Sequence, residues 1–111
     1  MTVDMQNRQL FTVVHTTDFA GEEVQKKRVE LMMGHLTHIE SIMNHVVVAG
    51  PMFAEDNKTI VGSLLIYKTE DKEQALKYLK ADPYYSAGIW EKVSVNVFRG
   101  AIGDVVGGKA Y

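Results

Sequence analysis

The side chains able to move protons or hold a ligand are few in this chain, and they cluster. At roughly 100° per residue, the helical advance, Val24, Leu31, Met32, Leu36, Ile39, Ile42, Met43 and Val46 share an arc about 140° wide. His35 falls near the centre of that arc. Arg28, seven residues earlier, points within about 20° of the same direction. An imidazole and a guanidinium on an apolar stripe must find partners, since a buried polar group left unpaired costs about 1–3 kcal/mol. Two readings follow. His35 is either a core histidine, hydrogen-bonded so as to orient the helix, or a general acid–base, because imidazole ordinarily changes charge near neutral pH.

The remaining candidates are weaker. His38 and His45 lie at the edge of the arc, but Leu36-Thr37 fills the middle of what would be an H-E-x-x-H motif, so no metal site is expected. His15 reads as a half-exposed strand residue. There is no cysteine, which removes thiol nucleophiles, disulfides and thiolate metal sites. Ser63 follows Gly62 without the G-x-S-x-G setting of a hydrolase, and Gly107-Gly108-Lys109 is only a fragment of a phosphate loop. Lys26-Lys27-Arg28 stands beside Glu22, Glu23 and Glu30 without interleaved aromatics, as a solvated helix face does. With a net charge of −2, no basic field recruits nucleic acid or anionic lipid.

These residues need elements to hold them. Segment 9–17, QLFTVVHTT, is β-branched and aromatic and reads as a strand. A long helix opens at Gly21-Glu22-Glu23 and stops near Asn44, where His45-Val46-Val47-Val48-Ala49 turns β-branched before Gly50-Pro51 breaks the run. Glu55-Asp56-Asn57-Lys58 makes a loop, and Thr59–Lys68 a strand in which Gly62 marks a bulge or a close backbone approach. Asp71 or Thr69 caps a second helix, DKEQALKYLKA, which Asp82-Pro83 ends. Val93, Val95 and Val97 alternate along a last strand, Lys92–Arg99, and a glycine-rich tail follows.

The order β-α-β-β-α-β is the split βαβ pattern of a ferredoxin-like α+β domain. Two helices cover one face of its four-stranded antiparallel sheet, so the open face is expected to pair with a second copy as a homodimer. The 111 residues form one domain, with a core over about 9–99 and a flexible tail over 100–111. Neither a secretory peptide nor a run long enough to span a bilayer is present, so a cytoplasmic protein with no membrane partner is expected.

Arg28 with His35-Leu36, Ala49-Gly50-Pro51, Gly62-Ser63, Asp82-Pro83-Tyr84 and Ala87-Gly88 occur here in an order and spacing that resembles the YCII-related family of small dimeric α+β barrel proteins. The resemblance runs from about Gln9 to Arg99. The stretch between His35 and Ala49 is about two residues shorter than in the family, and the tail beyond Arg99 is longer. The resemblance implies a pocket centred on a histidine, matched by His35, with an aspartate that Asp18, Asp56 or Asp82 supplies. Asp82 and Asp18 are carried forward as catalytic candidates. Arg28, Gly50, Pro51, Ser63 and Tyr84 are the candidates for holding a small molecule. Asp82-Pro83-Tyr84 has a plainer reading too, as a helix stop followed by a tyrosine that plugs the core.

The resemblance also implies chemistry on small organic molecules, including elimination from substituted hydroxylated rings. The expectation is a cofactor-free, lyase- or isomerase-like acid–base enzyme acting on a small cyclic or enolisable compound. A metabolite-binding homodimer without catalysis, and a structural dimer without a ligand, are the alternatives.

Overall fold

The computed structural model describes residues 9–110. Strand β1 (Gln9–Asp18) has Thr12, Val14 and Thr16 fully buried on one face, while on the other His15 and Thr17 are exposed and Phe11 is buried. Helix α1 (Glu22–Ser41) begins with Glu22 and Glu23 in its first turn, where the helix dipole favours negative charge. It stops three residues before the expected Asn44. The Ile42 amide already bonds back to the Ile39 carbonyl, and a 3-10 turn over Met43–His45 tightens the exit.

Strand β2 (Val46–Phe53) continues through Gly50-Pro51, where a break was expected. The sheet order β2-β3-β1-β4 puts it at an edge, where a proline without an N–H is tolerated. Strand β3 (Ile60–Tyr67) follows, then helix α2 (Lys72–Lys80), whose cap is Asp71: its carboxylate accepts the amides of Glu73 and Gln74. Asp82-Pro83 does more than end α2. It starts a further short turn of helix, α3 (Pro83–Ser86), with Asp82 as its cap and Pro83 in the first turn. Strand β4 (Trp90–Gly100) begins two residues earlier than the valine alternation suggested.

All pairings in the four-stranded sheet are antiparallel. The helices pack on the face that carries Val14, Leu65 and Tyr67, which join Val24, Ala75, Leu79, Tyr84, Ile89 and Trp90 in one core. The apolar arc of α1 is only partly covered by the core. Val24 and Arg28 are its buried residues, whereas Met32 and Leu36 remain 47% and 42% exposed. Both overhang a cavity.

On the opposite sheet face, Val48 and Phe98 are exposed. The tail forms a hairpin of β5 (Ile102–Gly103) and β6 (Gly108–Lys109). Its Ile102 and Val105 share an apolar cavity with Phe11, Ile66 and Phe98 at one end of that face. Among the described residues no helix is long and apolar enough to cross a membrane.

Candidate active site

The site lies between α1 and the inner face of β2 and β3. Asp18, the last residue of β1, is buried beside Arg28 on α1. The Arg28 guanidinium donates from Nε to Asp18 Oδ2 at 2.6 Å and from Nη2 to Oδ1 at 2.9 Å, a two-pronged charge-assisted pair. Nη2 also donates to Ser63 Oγ at 3.0 Å. Ser63 is held in turn by Thr16, whose Oγ1 accepts the Ser63 amide at 2.9 Å. Strands β1 and β3 approach unusually closely here, because a Cβ on Gly62 would stand 2.1 Å from the Thr16 carbonyl oxygen. Both roles expected of Gly62 are therefore met: the close approach to Thr16, and a register shift in the β2–β3 pairing beside it, between Met52–Gly62 and Phe53–Ile60.

One helical turn pair further along α1, His35 Nδ1 lies 2.6 Å from Asp82 Oδ2. The other carboxylate oxygen, Oδ1, accepts the Tyr84 amide at 2.9 Å. Carboxylate oxygens only accept, so Nδ1 carries the proton and Nε2 is left with its lone pair in the neutral ring. Nε2 has no partner among the described residues and is not sealed off. The Tyr84 ring stacks on the imidazole, with centroids 4.1 Å apart and planes 10° from parallel. Its hydroxyl donates to the Arg28 backbone carbonyl at 3.0 Å, and its ring lies 5.0 Å from the guanidinium carbon. Trp90 meets the same ring edge-on. Burial raises the Tyr84 phenol above its ordinary value, the nearby Arg28 charge partly opposing it.

A cavity of about 210 Å³ opens over these groups. Arg28, His35, Ser63 and Tyr84 line it, with Gly50 and Pro51 on the β2 side and Met32, Leu36 and Ile39 as an apolar wall. Asp18 and Asp82 stand behind Arg28 and His35 and do not reach the cavity wall. Asp56 lies elsewhere, accepting the amides of Lys58 and Thr59 in its own loop. The second histidine of the helix side, His38, bonds through Nε2 to the Tyr78 carbonyl at 2.7 Å. His45 stacks on Tyr78 instead. No grouping of three potential metal ligands occurs among the described residues.

Thr16 and Ile60 also belong to this neighbourhood and were not anticipated. Strand alternation could have found Thr16, since it shares the face of Thr12 and Val14. Nothing in the sequence marks Ile60.

A ferredoxin-like α+β domain with a histidine-centred cavity under its long helix is the class that fold and geometry define. Within that class the chain belongs to the YCII-related family, whose model matches residues 10–99. It is 33% identical over 81 residues to the protein YciI of Escherichia coli O6:H1, an alignment covering 67% of this chain and 83% of that one. The YciI protein of Shigella flexneri matches to the same extent. In architecture it is similar to 5-chloro-2-hydroxyhydroquinone dehydrochlorinase from Burkholderia phenoliruptrix AC1100, solved with 2,5-dihydroxybenzoquinone, with a TM-score of 0.66 at 24% identity. That match covers 85% of this chain and 96% of the other. A conserved protein from Methanosarcina mazei Go1 has the same fold at a TM-score of 0.51 and 18% identity, over 84% of this chain and 94% of that one.

Proposed function

We propose that the protein is a small acid–base enzyme, lyase- or isomerase-like, acting on a compact ring or enolisable compound that carries hydroxyl or carbonyl oxygens. The observation that carries this reading is the His35–Asp82 contact at 2.6 Å, which commits Nδ1 and leaves Nε2 free in a residue that lines the cavity. A base fixed in one tautomer takes a proton from a hydroxyl, or from a carbon beside a carbonyl, and returns it to another atom. Such a group contributes about 10²–10⁴ in rate. Arg28 and the Ser63 hydroxyl offer N–H and O–H donors to the oxygen on which negative charge then develops.

In this reading His35 is the catalytic residue, whereas Asp82 and Asp18 are positioning residues for His35 and Arg28. Tyr84 supports the imidazole rather than holding substrate, since its hydroxyl is already bonded to the helix backbone. The cavity volume suits a single substituted ring, being below the ~300–1,000 Å³ of drug-sized sites. The structurally similar dehydrochlorinase acts on such a ring, in keeping with this size.

The experiment is an NMR titration of the imidazole signals with a panel of hydroxylated aromatic and enolic compounds, His35 being assigned from His35→Gln. Compounds that shift His35 but not His38 are then assayed for turnover. The reading requires at least one to be turned over and His35→Gln to lose about 10²-fold or more. If none perturbs His35, or if the variant turns over normally, the reading is wrong.

Pairing of two copies through the open sheet face accompanies this proposal. Exposed Val48 and Phe98, continued by Ile102 and Val105 of the tail, support it. Light scattering after chromatography should give twice the chain mass, and Val48→Lys with Phe98→Lys should give monomers. A wild-type monomer at assay concentration removes this part of the reading.

A further inference from the structure

The charges around the cavity are unevenly compensated. Arg28 is the cationic residue in its lining, and Asp18 neutralises it through both carboxylate oxygens. Asp82 adds a negative charge behind the His35 imidazole. Tyr84, the other titratable group against His35, stays un-ionised, and Tyr67 of β3, which feels the Asp82 charge, does too, both held up chiefly by burial. The lining contributed by β2, Ala49, Gly50 and Pro51, is uncharged. Counted over Arg28, Asp18 and Asp82, the site holds one net negative charge while His35 is neutral.

We propose that Asp18 acts as the charge filter of the cavity: by cancelling Arg28 it selects ligands that arrive un-ionised with a weakly acidic ring hydroxyl and pass that proton to His35. This deepens the acid–base reading and rests on it. The step balances within the complex. The ligand O–H bond breaks, an N–H bond forms at Nε2, and the electron pair stays on the ligand oxygen, where Arg28 and Ser63 donate to it. The imidazolium is then paired with Asp82, and the phenolate faces Arg28. A ligand that is already an anion, such as a carboxylate, brings no proton. It either adds a second uncompensated negative charge or draws a proton from water to His35, and its binding must weaken as pH rises.

Arg28 retains donors for this task. Nη1 has no partner among the described residues and is not sealed within the protein. Removing the Asp18 charge would turn the same guanidinium into an ordinary carboxylate receptor.

The probes are 4-nitrophenol, whose anion is identified by its absorbance, and 4-nitrobenzoate, which has a similar ring and a permanent charge. Well below the phenol's own pKa, the wild-type protein should convert bound 4-nitrophenol to its anion. His35→Gln should bind it with the phenol band unchanged. Wild-type affinity for 4-nitrobenzoate should fall by about tenfold per pH unit once neutral His35 predominates. Asp18→Asn should gain at least about tenfold for 4-nitrobenzoate relative to 4-nitrophenol, and should flatten that pH dependence. The wild-type measurements stand even if Asp18→Asn does not fold. Bound 4-nitrophenol that remains un-ionised, or pH-independent binding of 4-nitrobenzoate to wild type, overturns the filter and leaves an acid–base pocket standing. Failure of both probes to bind, with His35 signals unmoved by the hydroxylated panel, overturns both.

Discussion

The imidazole of His35 and the phenol ring of Tyr84 lie face to face, 4.1 Å between centroids and 10° from parallel, although they come from different helices. The contact joins α1 to the turn that Asp82 begins. Its two halves are separable by substitution. Tyr84→Phe keeps the stacked ring and loses only the bond to the Arg28 carbonyl, so it should cost about 1 kcal/mol and leave turnover close to normal. Tyr84→Leu removes the surface that fixes the imidazole plane. It should cost about 2–3 kcal/mol and lower kcat more than it raises KM. Thermal unfolding and steady-state kinetics on the two variants check this.

Asp82 serves two neighbours with two oxygens: Oδ2 accepts a hydrogen bond from His35 Nδ1–H and Oδ1 accepts one from the Tyr84 amide. Asp82→Ala should cost about 2 kcal/mol from loss of the helix cap alone, measured by denaturant unfolding. Asp82→Asn retains a cap-forming oxygen but presents an N–H₂ to one partner. It should keep most of the stability and lose about 10²-fold or more in kcat, with KM little changed. Preserved turnover in the asparagine form, with the loss of stability confined to Asp82→Ala, would show that Asp82 only caps α3.

Much of this architecture is readable in the residues. The β-branched and aromatic content of 9–17 marks the first strand, and the motifs from Arg28 to Gly88 point to the family that the domain match shows. What the residues do not reveal is long-range. Three aspartates occupy family-like positions, and only the fold separates them: Asp18 reaches Arg28, Asp82 reaches His35, and Asp56 closes its own loop. The arc of α1 was readable as apolar but not as a cavity wall, since periodicity reports a face without reporting what opposes it. Pro51 resembles a strand breaker until the sheet order makes β2 an edge. The α3 turn was hidden because Asp-Pro ends one helix and caps the next with the same two residues.

The pH response at the alkaline end is set by two tyrosines. Burial pushes the Tyr67 hydroxyl well above the ordinary value of 10.0, the Asp82 charge adding to it, and burial likewise raises Tyr84. A raised folded-state value means that the unfolded chain loses these protons first. Stability is therefore unaffected below about pH 10 and falls as pH rises beyond it, by up to about 1.4 kcal/mol per unit for each group. The Tyr67 hydroxyl has no hydrogen-bond partner among the described residues, so Tyr67→Phe should be neutral or stabilising at pH 7 and should reduce the alkaline loss. Tyrosinate absorbance should show a late component in the wild type that is diminished in Tyr67→Phe.

Gly62 offers the most direct test of how the sheet positions Ser63. An added Cβ would lie 2.1 Å from the Thr16 carbonyl oxygen and 3.1 Å from its carbon, both backbone atoms that cannot rotate away. Strands β1 and β3 would have to separate where Thr16 Oγ1 holds the Ser63 amide. Gly62→Ala should therefore cost about 3 kcal/mol or more, at the upper end of overpacking substitutions, despite alanine's lower conformational entropy when unfolded. Gly50→Ala supplies the contrast, since nothing lies within 4 Å of the Cβ it would add. It should change stability by less than about 1 kcal/mol and act on ligand affinity instead, because Gly50 lines the cavity. Denaturant unfolding of both variants decides the matter: similar small losses would mean that β1 and β3 yield easily, and that Ser63 is not held by this close approach.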